Sequence, residues 1–279
     1  MDYTSLGNSG LTVSRISLGG MSFGSGTPME WILDDDAAQP IFRQAIDLGI
    51  TFWDTANVYG MGTSEEIIGR AINTYASREQ IVLATKLFWP MNAGPGGSGL
   101  SRKAIIEQTD ASLRRLGTDY IDLMQIHRFD SDVPVAETME ALHDLVKAGK
   151  VRYIGASSMW AWQFSKMQYT AELHGWTKFI SMQNQYSLTQ REEEREMFGL
   201  LAGQGVGSIP WSPLNGGVPM AQIALAWVLR NPVVDSVLSG ATKPRHLTDA
   251  AAALDITLTD DEIRALEQPY LPRTPTYFN

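Results

Sequence analysis

The chain has 279 residues, of which 44% are hydrophobic and 19% charged; its formal net charge is −9 and it contains no cysteine. This composition supports a large buried core and argues against a general nucleic-acid-binding or anionic-membrane surface. Disulfides and thiolate chemistry are excluded, and no metal site is predicted. Without a signal-like N-terminus or an apolar run of about 20 residues, a cytoplasmic protein is expected.

The first segment, SLGNSGLTVS, predicts a small β-hairpin with its turn at residues 8–10. Apolar, β-branched runs then recur along the chain, and each is followed by a helical pattern. Nearly continuous apolar runs are typical of a parallel sheet that is covered on its faces. The predicted strands lie near residues 16–20, 50–54, 81–86, 121–127, 151–156, 180–184, 207–211 and 235–239.

The helices are predicted from apolar residues at helical spacing, and a Thr63-x-x-Glu66 capping box is expected after the second strand. Glycines fall where helical stretches give way to strands, which favours left-handed helix ends there. The segment TDDEIRALE predicts a final helix, and the run REEEREM (191–197) predicts a solvated helix face. The residues used are Ala37, Ile41, Ala45 and Leu48 for one helix, Val135, Met139, Leu142 and Val146 for another, and the glycines Gly49, Gly117, Gly149, Gly175 and Gly205.

Eight strands, each followed by a helix, predict an α/β fold: a single (β/α)8 TIM barrel over residues 1–279, with an N-terminal β-hairpin and a C-terminal extra helix. A doubly wound open sheet is the alternative. That fold would need a glycine-rich phosphate loop after an early strand, and LGGMSFGSG does not match GxGxxG.

Three predicted strands end in polar side chains: Asp54 in TFWDTANVYG, Lys86 in IVLATK and His127 in YIDLMQIH. Tyr59 follows the first of them in a short loop. Because the carboxyl ends of barrel strands meet at one face, these four side chains are expected to converge. Taken singly, each has an ordinary explanation, as a loop cap, a solvated lysine, a packed aromatic or a core histidine.

Together the four side chains suit proton transfer. An ammonium group beside a phenol favours the phenolate, so Lys86 would assist proton donation by Tyr59. A buried ammonium group needs a counter-charge, which Asp54 can supply. His127 can then orient a carbonyl oxygen or share the proton.

Several segments carry a resemblance to the aldo-keto reductase family: FWDTANVYGMGTSEEIIG, EALHDLVKAGKVRYIGASS, QNQYSL, WSPL and SGATKPRHLTDAAAALD. The resemblance implies reduction of an aldehyde or ketone, with a nicotinamide cofactor, usually NADPH, bound across the barrel mouth. It further implies that Tyr59 donates the proton, that Lys86 and Asp54 modulate it, and that His127 orients the substrate.

The resemblance also implies a cofactor site. Ser157, Ser158 and Gln183 match contacts to the nicotinamide carboxamide, although the family usually has Asn at position 158, and Trp211 matches the aromatic residue on which the nicotinamide stacks. Phosphate contacts match Thr242, Lys243 and His246, and an adenosine contact matches Asp249; Ala250 replaces the usual Asn that reads adenine. The complete set is Gly20, Met21, Asp54, Ser157, Ser158, Gln183, Trp211, Ser212, Pro213, Leu214, Gly240, Thr242, Lys243, His246 and Asp249.

After WSPL, the family usually inserts a long loop that folds over the pyrophosphate. Here only NGGVP separates Leu214 from Met220. Either the chain lacks this clamp or the sequence omits a stretch.

Aromatic and basic residues near the predicted strand ends suggest an apolar pocket for an aromatic or medium-sized carbonyl compound; they are Trp31, Trp53, Trp89, Arg128 and Phe129. The predicted partner is this small molecule, not a nucleic acid or a membrane, and the oligomeric state is not indicated. Two other functions remain open: a nucleotide-sensing binding protein that resembles the potassium-channel β subunits, and a barrel that has lost cofactor binding.

Overall fold

The computed structural model describes residues 1–25, 29, 31–94, 96–212 and 221–272. The chain begins with the predicted hairpin, in which β1 (Tyr3–Ser5) pairs antiparallel with β2 (Thr12–Ser14). Leu6 and Val13 are fully buried and pack against residues of the barrel interior such as Phe52 and Leu123. The hairpin therefore fills one end of the barrel.

The described part of the chain contains eight parallel strands, and the prediction of eight strands is confirmed. They are β3 (Ile16–Gly19), β4 (Phe52–Asp54), β5 (Val82–Leu87), β6 (Ile121–Ile126), β7 (Val151–Ser157), β8 (Phe179–Gln183), β9 (Gly207–Ser208) and β10 (Val237–Gly240). Their spatial order is β10-β3-β4-β5-β6-β7-β8-β9. The two outer strands meet through backbone hydrogen bonds, from Asp235 N–H to Ser208 O (3.0 Å) and from Leu238 N–H to Pro210 O (3.0 Å). The sheet thus curls into a (β/α)8 barrel.

Helices follow the strands and pack on the outside of the sheet. The five punctuating glycines have φ between 64° and 75°, as predicted, because the left-handed conformation ends a helix and carries no penalty for glycine. None of the described helices is long and apolar enough to cross a bilayer. Their bounds are α1 (Asp35–Asp47), α2 (Thr63–Tyr75), α3 (Arg102–Leu116), α4 (Val135–Lys147), α5 (Ala161–His174), α6 (Met197–Gln204), α7 (Ala221–Leu229), α8 (Pro244–Ala252) and α9 (Asp260–Glu267).

Two details of the predicted helices were wrong. Ala37 is exposed and Ala38 is buried in its place, whereas in α4 Val146 is half-buried against the core as its spacing predicts, next to the buried Leu145. Thr63 does not form a capping box. It is the first residue of α2, which follows Gly62, and its hydroxyl donates to Gly60 O (2.8 Å).

Strand alternation decides which side chains reach the barrel interior. In β4, Phe52 packs against the hairpin residues and Asp54 lies with the polar residues inside the barrel, whereas Trp53 points outward and packs on Phe42 of α1 with ring centres 5.3 Å apart. Successive side chains of a strand face opposite ways. The placement of Trp53 around a substrate pocket was therefore wrong, since its ring is fully buried in the helix layer.

Candidate active site

The four predicted proton-transfer residues lie at the carboxyl ends of three neighbouring strands. Asp54 ends β4, Lys86 lies one residue before the end of β5, and His127 follows β6. Tyr59 begins the 3-10 turn Tyr59–Gly62 that leads into α2. Asp54, Lys86 and His127 are 2%, 1% and 8% exposed, so three of the four groups are shielded from bulk water.

The ammonium group of Lys86 connects these residues. Its Nζ donates to the Asp54 carboxylate, to Thr55 O (2.8 Å) and to the hydroxyl oxygen of Tyr59 (3.4 Å). Burial acts to lower the pKa of Lys86, but the negative charge of Asp54 and the interaction with Tyr59 outweigh it, so the pKa is raised. Lys86 is thus held as an ammonium ion beside the phenol.

His127 lies beside Tyr59, with the two ring centres 5.9 Å apart. Burial, together with the positive charges of Lys86 and Arg128, lowers the pKa of His127 well below its usual value of 6.5. The imidazole is therefore neutral at neutral pH. Its Nδ1 atom is buried and makes no hydrogen bond within the described residues.

The loop that carries Tyr59 has an unusual backbone. Gly60, Met61 and Gly62 have φ values of 55°, 54° and 98°, so three consecutive residues are left-handed. Gly62 packs against Arg115 so closely that an added Cβ atom would lie 2.6 Å from the Arg115 Cδ atom. Because glycine alone fits there, the sequence Tyr-Gly-Met-Gly fixes the turn.

A buried ion pair supports the same loop. Arg115 Nε donates to Glu65 Oε2 (2.6 Å), and the fully buried Glu65 also accepts from Thr85 Oγ1 (2.6 Å). Thr85 directly precedes Lys86 in β5. Glu65 of α2 therefore ties the Tyr59 loop to the strand that carries the lysine.

Two glutamines complete the surroundings of Asp54. Gln125 Nε2 and Gln183 Nε2 both donate to Asp54 Oδ1, at 2.7 and 3.0 Å. Gln183 was predicted from its expected cofactor contact, but Gln125 was missed. It lies two residues before His127 on the same strand face, and this spacing was the available signal.

The residues expected at the nicotinamide lie together at the ends of β7 and β8. Ser157 Oγ donates to Gln183 O (2.8 Å), the hydroxyls of Ser157 and Ser158 are 3.2 Å apart, and Trp211 Nε1 donates to Ser158 Oγ (3.3 Å). Gly20 is also buried beside Asp54, and an added Cβ atom there would lie 2.9 Å from Asp54 O. Met21, in contrast, is 55% exposed. Hydroxyls, an amide and an indole face at one strand edge are chemically suited to a carboxamide-bearing aromatic ring.

Backbone strain concentrates at the same edge. Among the described residues, the non-glycine positions with positive φ are Met61, Ser158 and Ser212, at 54°, 46° and 52°. Each is adjacent to or part of the predicted site. Strained residues cluster at functional sites because the surrounding structure has to hold them. Pro213 and Leu214, which were predicted to bind the pyrophosphate, lie outside the described residues.

The predicted phosphate-binding residues surround the start of α8. Lys243 is exposed at the N-cap and Pro244 is the first helical residue, as predicted. The Thr242 backbone N–H donates to His246 Nδ1 (3.3 Å), so the other ring nitrogen of a neutral His246 carries the hydrogen. Partial burial and the charges of Arg245 and Lys243 lower the pKa of His246.

The adenosine end of the site is less polar than in the family pattern. Gly240 ends β10, and Asp249 Oδ1 accepts from Gln222 Nε2 (3.3 Å). Ala250 is 1% exposed and belongs to the hydrophobic core. It therefore offers no polar group in place of the usual Asn.

The residues predicted for a substrate pocket are spread over several loops. Trp89 contacts His127, with ring centres 6.2 Å apart, and the Arg128 guanidinium lies 5.6 Å from the Trp89 ring centre. Phe129 instead faces Trp162 (5.9 Å) in an open groove of about 420 Å³. Trp31 is 41% exposed in the connection after β3.

The prediction that residues 191–197 form a solvated helix face was wrong. Glu192 and Glu193 are 8% and 6% exposed. Glu193 accepts a hydrogen bond from Asn184 Nδ2, next to Gln183, and Tyr270 donates to Glu192 (2.7 Å). Burial raises the pKa of Glu193 to about 8, a shift that the Asn184 hydrogen bond opposes and the charge of Glu192 increases.

A tyrosine hydroxyl beside a buried ammonium group and a neutral histidine agrees with what comparison with known proteins finds. A model of the aldo/keto reductase family matches residues 15–218 and 216–270. The chain belongs to the aldo/keto reductase family. It is accordingly an oxidoreductase that acts on carbonyl groups, in a family that uses nicotinamide cofactors.

Relatives match along nearly their whole length. An aldo-keto reductase of Fusarium vanettenii is 41% identical over 98% of this chain and 92% of its own. A versiconal hemiacetal acetate reductase of Aspergillus parasiticus is 38% identical over 98% of both chains. A provisionally named aryl-alcohol dehydrogenase of Schizosaccharomyces pombe is 39% identical over 97% of this chain and 96% of its own.

The same comparisons bear on the short connection after WSPL. The alignment to the Fusarium relative runs over 342 positions and this aldo/keto reductase has 279 residues, so at least 63 aligned positions have no counterpart in it. The two matches to the family model meet at residues 216–218. Both observations agree with the expectation that the family has a longer connection after WSPL than this chain.

Proposed function

We propose that this protein reduces an aromatic or medium-sized aldehyde or ketone to the alcohol with NADPH, and that Tyr59 donates the proton. The observation that carries the proposal is the hydrogen-bonded series from Asp54 through Lys86 Nζ to the Tyr59 hydroxyl (3.4 Å from Nζ), beside a neutral His127. A positioned acid next to a fixed positive charge is what protonation of an alkoxide requires.

Each of the four residues has a separate task. The bound nicotinamide would supply a hydride to the carbonyl carbon. Tyr59 donates its hydroxyl proton to the carbonyl oxygen as negative charge develops there. The Lys86 ammonium group stabilises the resulting phenolate, Asp54 holds Lys86 in place, and His127 donates a hydrogen bond that orients the carbonyl oxygen.

The cofactor would be held at two ends. Ser157, Ser158, Gln183 and Trp211 would bind the nicotinamide, and Lys243 with His246 would bind the 2′-phosphate of NADPH. Lys243 precedes α8, whose free backbone N–H groups and helix dipole also favour an anion. In a chain with a net charge of −9, this local cluster of Lys243, Arg245 and His246 is a suitable place for a phosphate.

The substrate class rests on the aromatic side chains next to His127. Trp89, 37% exposed, contacts His127, and Arg128 covers its ring. A flat aromatic aldehyde would stack on this surface with its carbonyl oxygen toward Tyr59. The names of two relatives, an aryl-alcohol dehydrogenase and a versiconal hemiacetal acetate reductase, support a substrate of this size.

Titration with NADPH, followed by oxidation of NADPH with a panel of aryl and aliphatic aldehydes, tests the proposal. We expect NADPH to bind and to quench tryptophan fluorescence. We also expect faster turnover of aryl aldehydes than of aliphatic ones. Binding without turnover would point instead to a nucleotide-sensing protein, and no binding would point to a barrel that has lost its cofactor.

A further inference from the structure

Gln125 is a fully buried amide that touches both the proton-transfer residues and the expected nicotinamide site. It stands beside Lys86 in the β5–β6 register and beside Gly155 in the β6–β7 register. A Cβ atom at Gly155 would lie 3.2 Å from Gln125 Cγ. The missing side chain at Gly155 therefore makes room for Gln125 to reach across the barrel interior.

The chemistry of Asp54 determines which end of each amide faces it. Because Asp54 is paired with the Lys86 ammonium group, it is a carboxylate and can only accept hydrogen bonds. The amide nitrogens of Gln125 and Gln183 must therefore face Asp54 Oδ1, at 2.7 and 3.0 Å. The carbonyl oxygen of Gln125 then accepts the second hydrogen of Gln183 Nε2, at 3.2 Å.

Both hydrogens of the Gln183 amide nitrogen are thereby used. The carbonyl oxygen Oε1 of Gln183 is left as the group that can meet a ligand. Without Gln125, one hydrogen of the Gln183 amide nitrogen would have no partner, and Asp54 alone would hold the amide in this orientation. Gln125 thus fixes a hydrogen-bond acceptor, not a donor, at the expected nicotinamide site.

We propose that Gln125 is a positioning residue that orients the Gln183 amide so that its oxygen accepts a hydrogen bond from the N–H2 of the nicotinamide carboxamide. The inference rests on the proposed binding of NADP(H). It explains how one glutamine serves both the Asp54 carboxylate and the cofactor.

The test compares NADP+ with its 3-acetylpyridine analogue, which keeps the carbonyl oxygen but lacks the N–H2 group. Dissociation constants come from quenching of protein fluorescence, without turnover. Wild-type protein should prefer NADP+ by about 2- to 13-fold, the value of one neutral hydrogen bond. In Gln125→Met, a substitution of similar shape, this preference should fall toward 1 and NADP+ should bind more weakly by about the same factor.

Gln168→Met is the matched control, because Gln168 is equally buried but bonds only to the backbone of Phe179. It should lower thermal stability and leave the preference unchanged. An unchanged preference in Gln125→Met overturns the inference while the proposed function stands. Equal affinity of the wild-type protein for the two nucleotides also overturns the inference, and this result does not require Gln125→Met or Gln125→Leu to fold. A wild-type protein that binds neither nucleotide refutes the proposed function itself.

Discussion

The ammonium nitrogen of Lys86 lies 3.4 Å from the hydroxyl oxygen of Tyr59 and donates at the same time to Asp54. Lys86 is 1% exposed, so its charge acts on the phenol with little screening by water. The expected carboxamide contacts belong to other strands, β7 and β8. Proton donation by Tyr59 is therefore expected to be separable by mutation from cofactor binding.

Tyr59→Phe should abolish carbonyl reduction and leave NADPH affinity largely intact. The hydroxyl is needed for protonation, and a general acid contributes about 10²–10⁴-fold. Steady-state kinetics with an aryl aldehyde and NADPH titration measure the two effects. A variant that keeps more than half of the wild-type kcat would refute the assignment of Tyr59.

Lys243→Ala should weaken NADPH binding by about 10- to 150-fold and leave NADH nearly unchanged. A charge-assisted contact to the 2′-phosphate is worth roughly 1.5–3 kcal/mol, which corresponds to that range. Because the pKa of His246 is lowered and its Nδ1 accepts from Thr242, its contribution should stay constant between pH 7 and 9. The dissociation constants of NADPH and NADH are measured for the wild type and the variant. If both nucleotides bind more weakly by the same factor, Lys243 contacts the part that NADPH and NADH share.

Glu193→Gln should stabilise the protein, and by more as the pH rises. In the folded state Glu193 has a pKa of about 8, whereas an unfolded glutamate ionises near 4.5. The folded state therefore binds the extra proton, and stability is lost as the pH rises from about 4.5 through 8. Melting temperatures of wild type and variant at pH 5, 7 and 9 should diverge with pH.

Glu196→Gln is the control for this experiment, since Glu196 is exposed three residues further along. Its melting temperature should follow that of the wild type at every pH. A constant difference between wild type and Glu193→Gln across the pH range would mean that Glu193 ionises normally in the folded protein.

Gly62→Ala should disturb the loop of Tyr59. The new Cβ would meet Arg115 at 2.6 Å and sit at a φ of 98°, so a loss of at least about 1 kcal/mol in the free energy of unfolding is expected, together with lower kcat. Gly94→Ala has a similar φ of 105° with nothing within 4 Å of the new atom. Urea unfolding and steady-state kinetics on both variants separate backbone strain from the clash with Arg115. Only Gly62→Ala should lose activity. Equal activities of the two variants would contradict the supporting role of Arg115.

NADP+ should leave this protein quickly. The alignment to the Fusarium relative has at least 63 positions without a counterpart in this chain, and eight residues connect Ser212 to Ala221 here. A short connection gives little chain to fold over a pyrophosphate, so stopped-flow fluorescence should show a single fast binding phase. The measurement is made on protein whose intact mass is 30.8 kDa; a slow second phase in that protein would contradict the expectation.

The barrel could be predicted because its signals are local. Strand runs, helical spacing and glycine at the helix ends recur in each βα unit, and left-handed glycine is a property of the backbone that sequence reports directly. The convergence of Asp54, Lys86 and His127 followed from the strand ends alone. The Trp53 error was avoidable, because a residue next to the inward-facing Asp54 must face outward.

Other features depend on contacts between distant segments. Glu192 and Glu193 lie in a run of charges that is typical of a solvated surface, yet Asn184 and Tyr270 bury them. The choice between Ala37 and Ala38 on α1 depends on how the helix is rotated against the sheet, and both residues are alanine. The role of Gln125 required knowing that Gly155 stands opposite it, which follows only from strand register.

The hairpin at the end of the barrel has a consequence for how the chain is made. Gly7 N–H donates to the Asp235 side chain (2.6 Å), across a separation of 228 residues. A ribosome synthesises residue 7 long before residue 235, so this contact cannot form until nearly all of the described chain has emerged. Leu6 and Val13 likewise complete their packing only when Ile209 and Leu238, which share their hydrophobic cluster, have been synthesised. The contact between Gly7 and Asp235 therefore closes the hairpin end of the barrel late in synthesis.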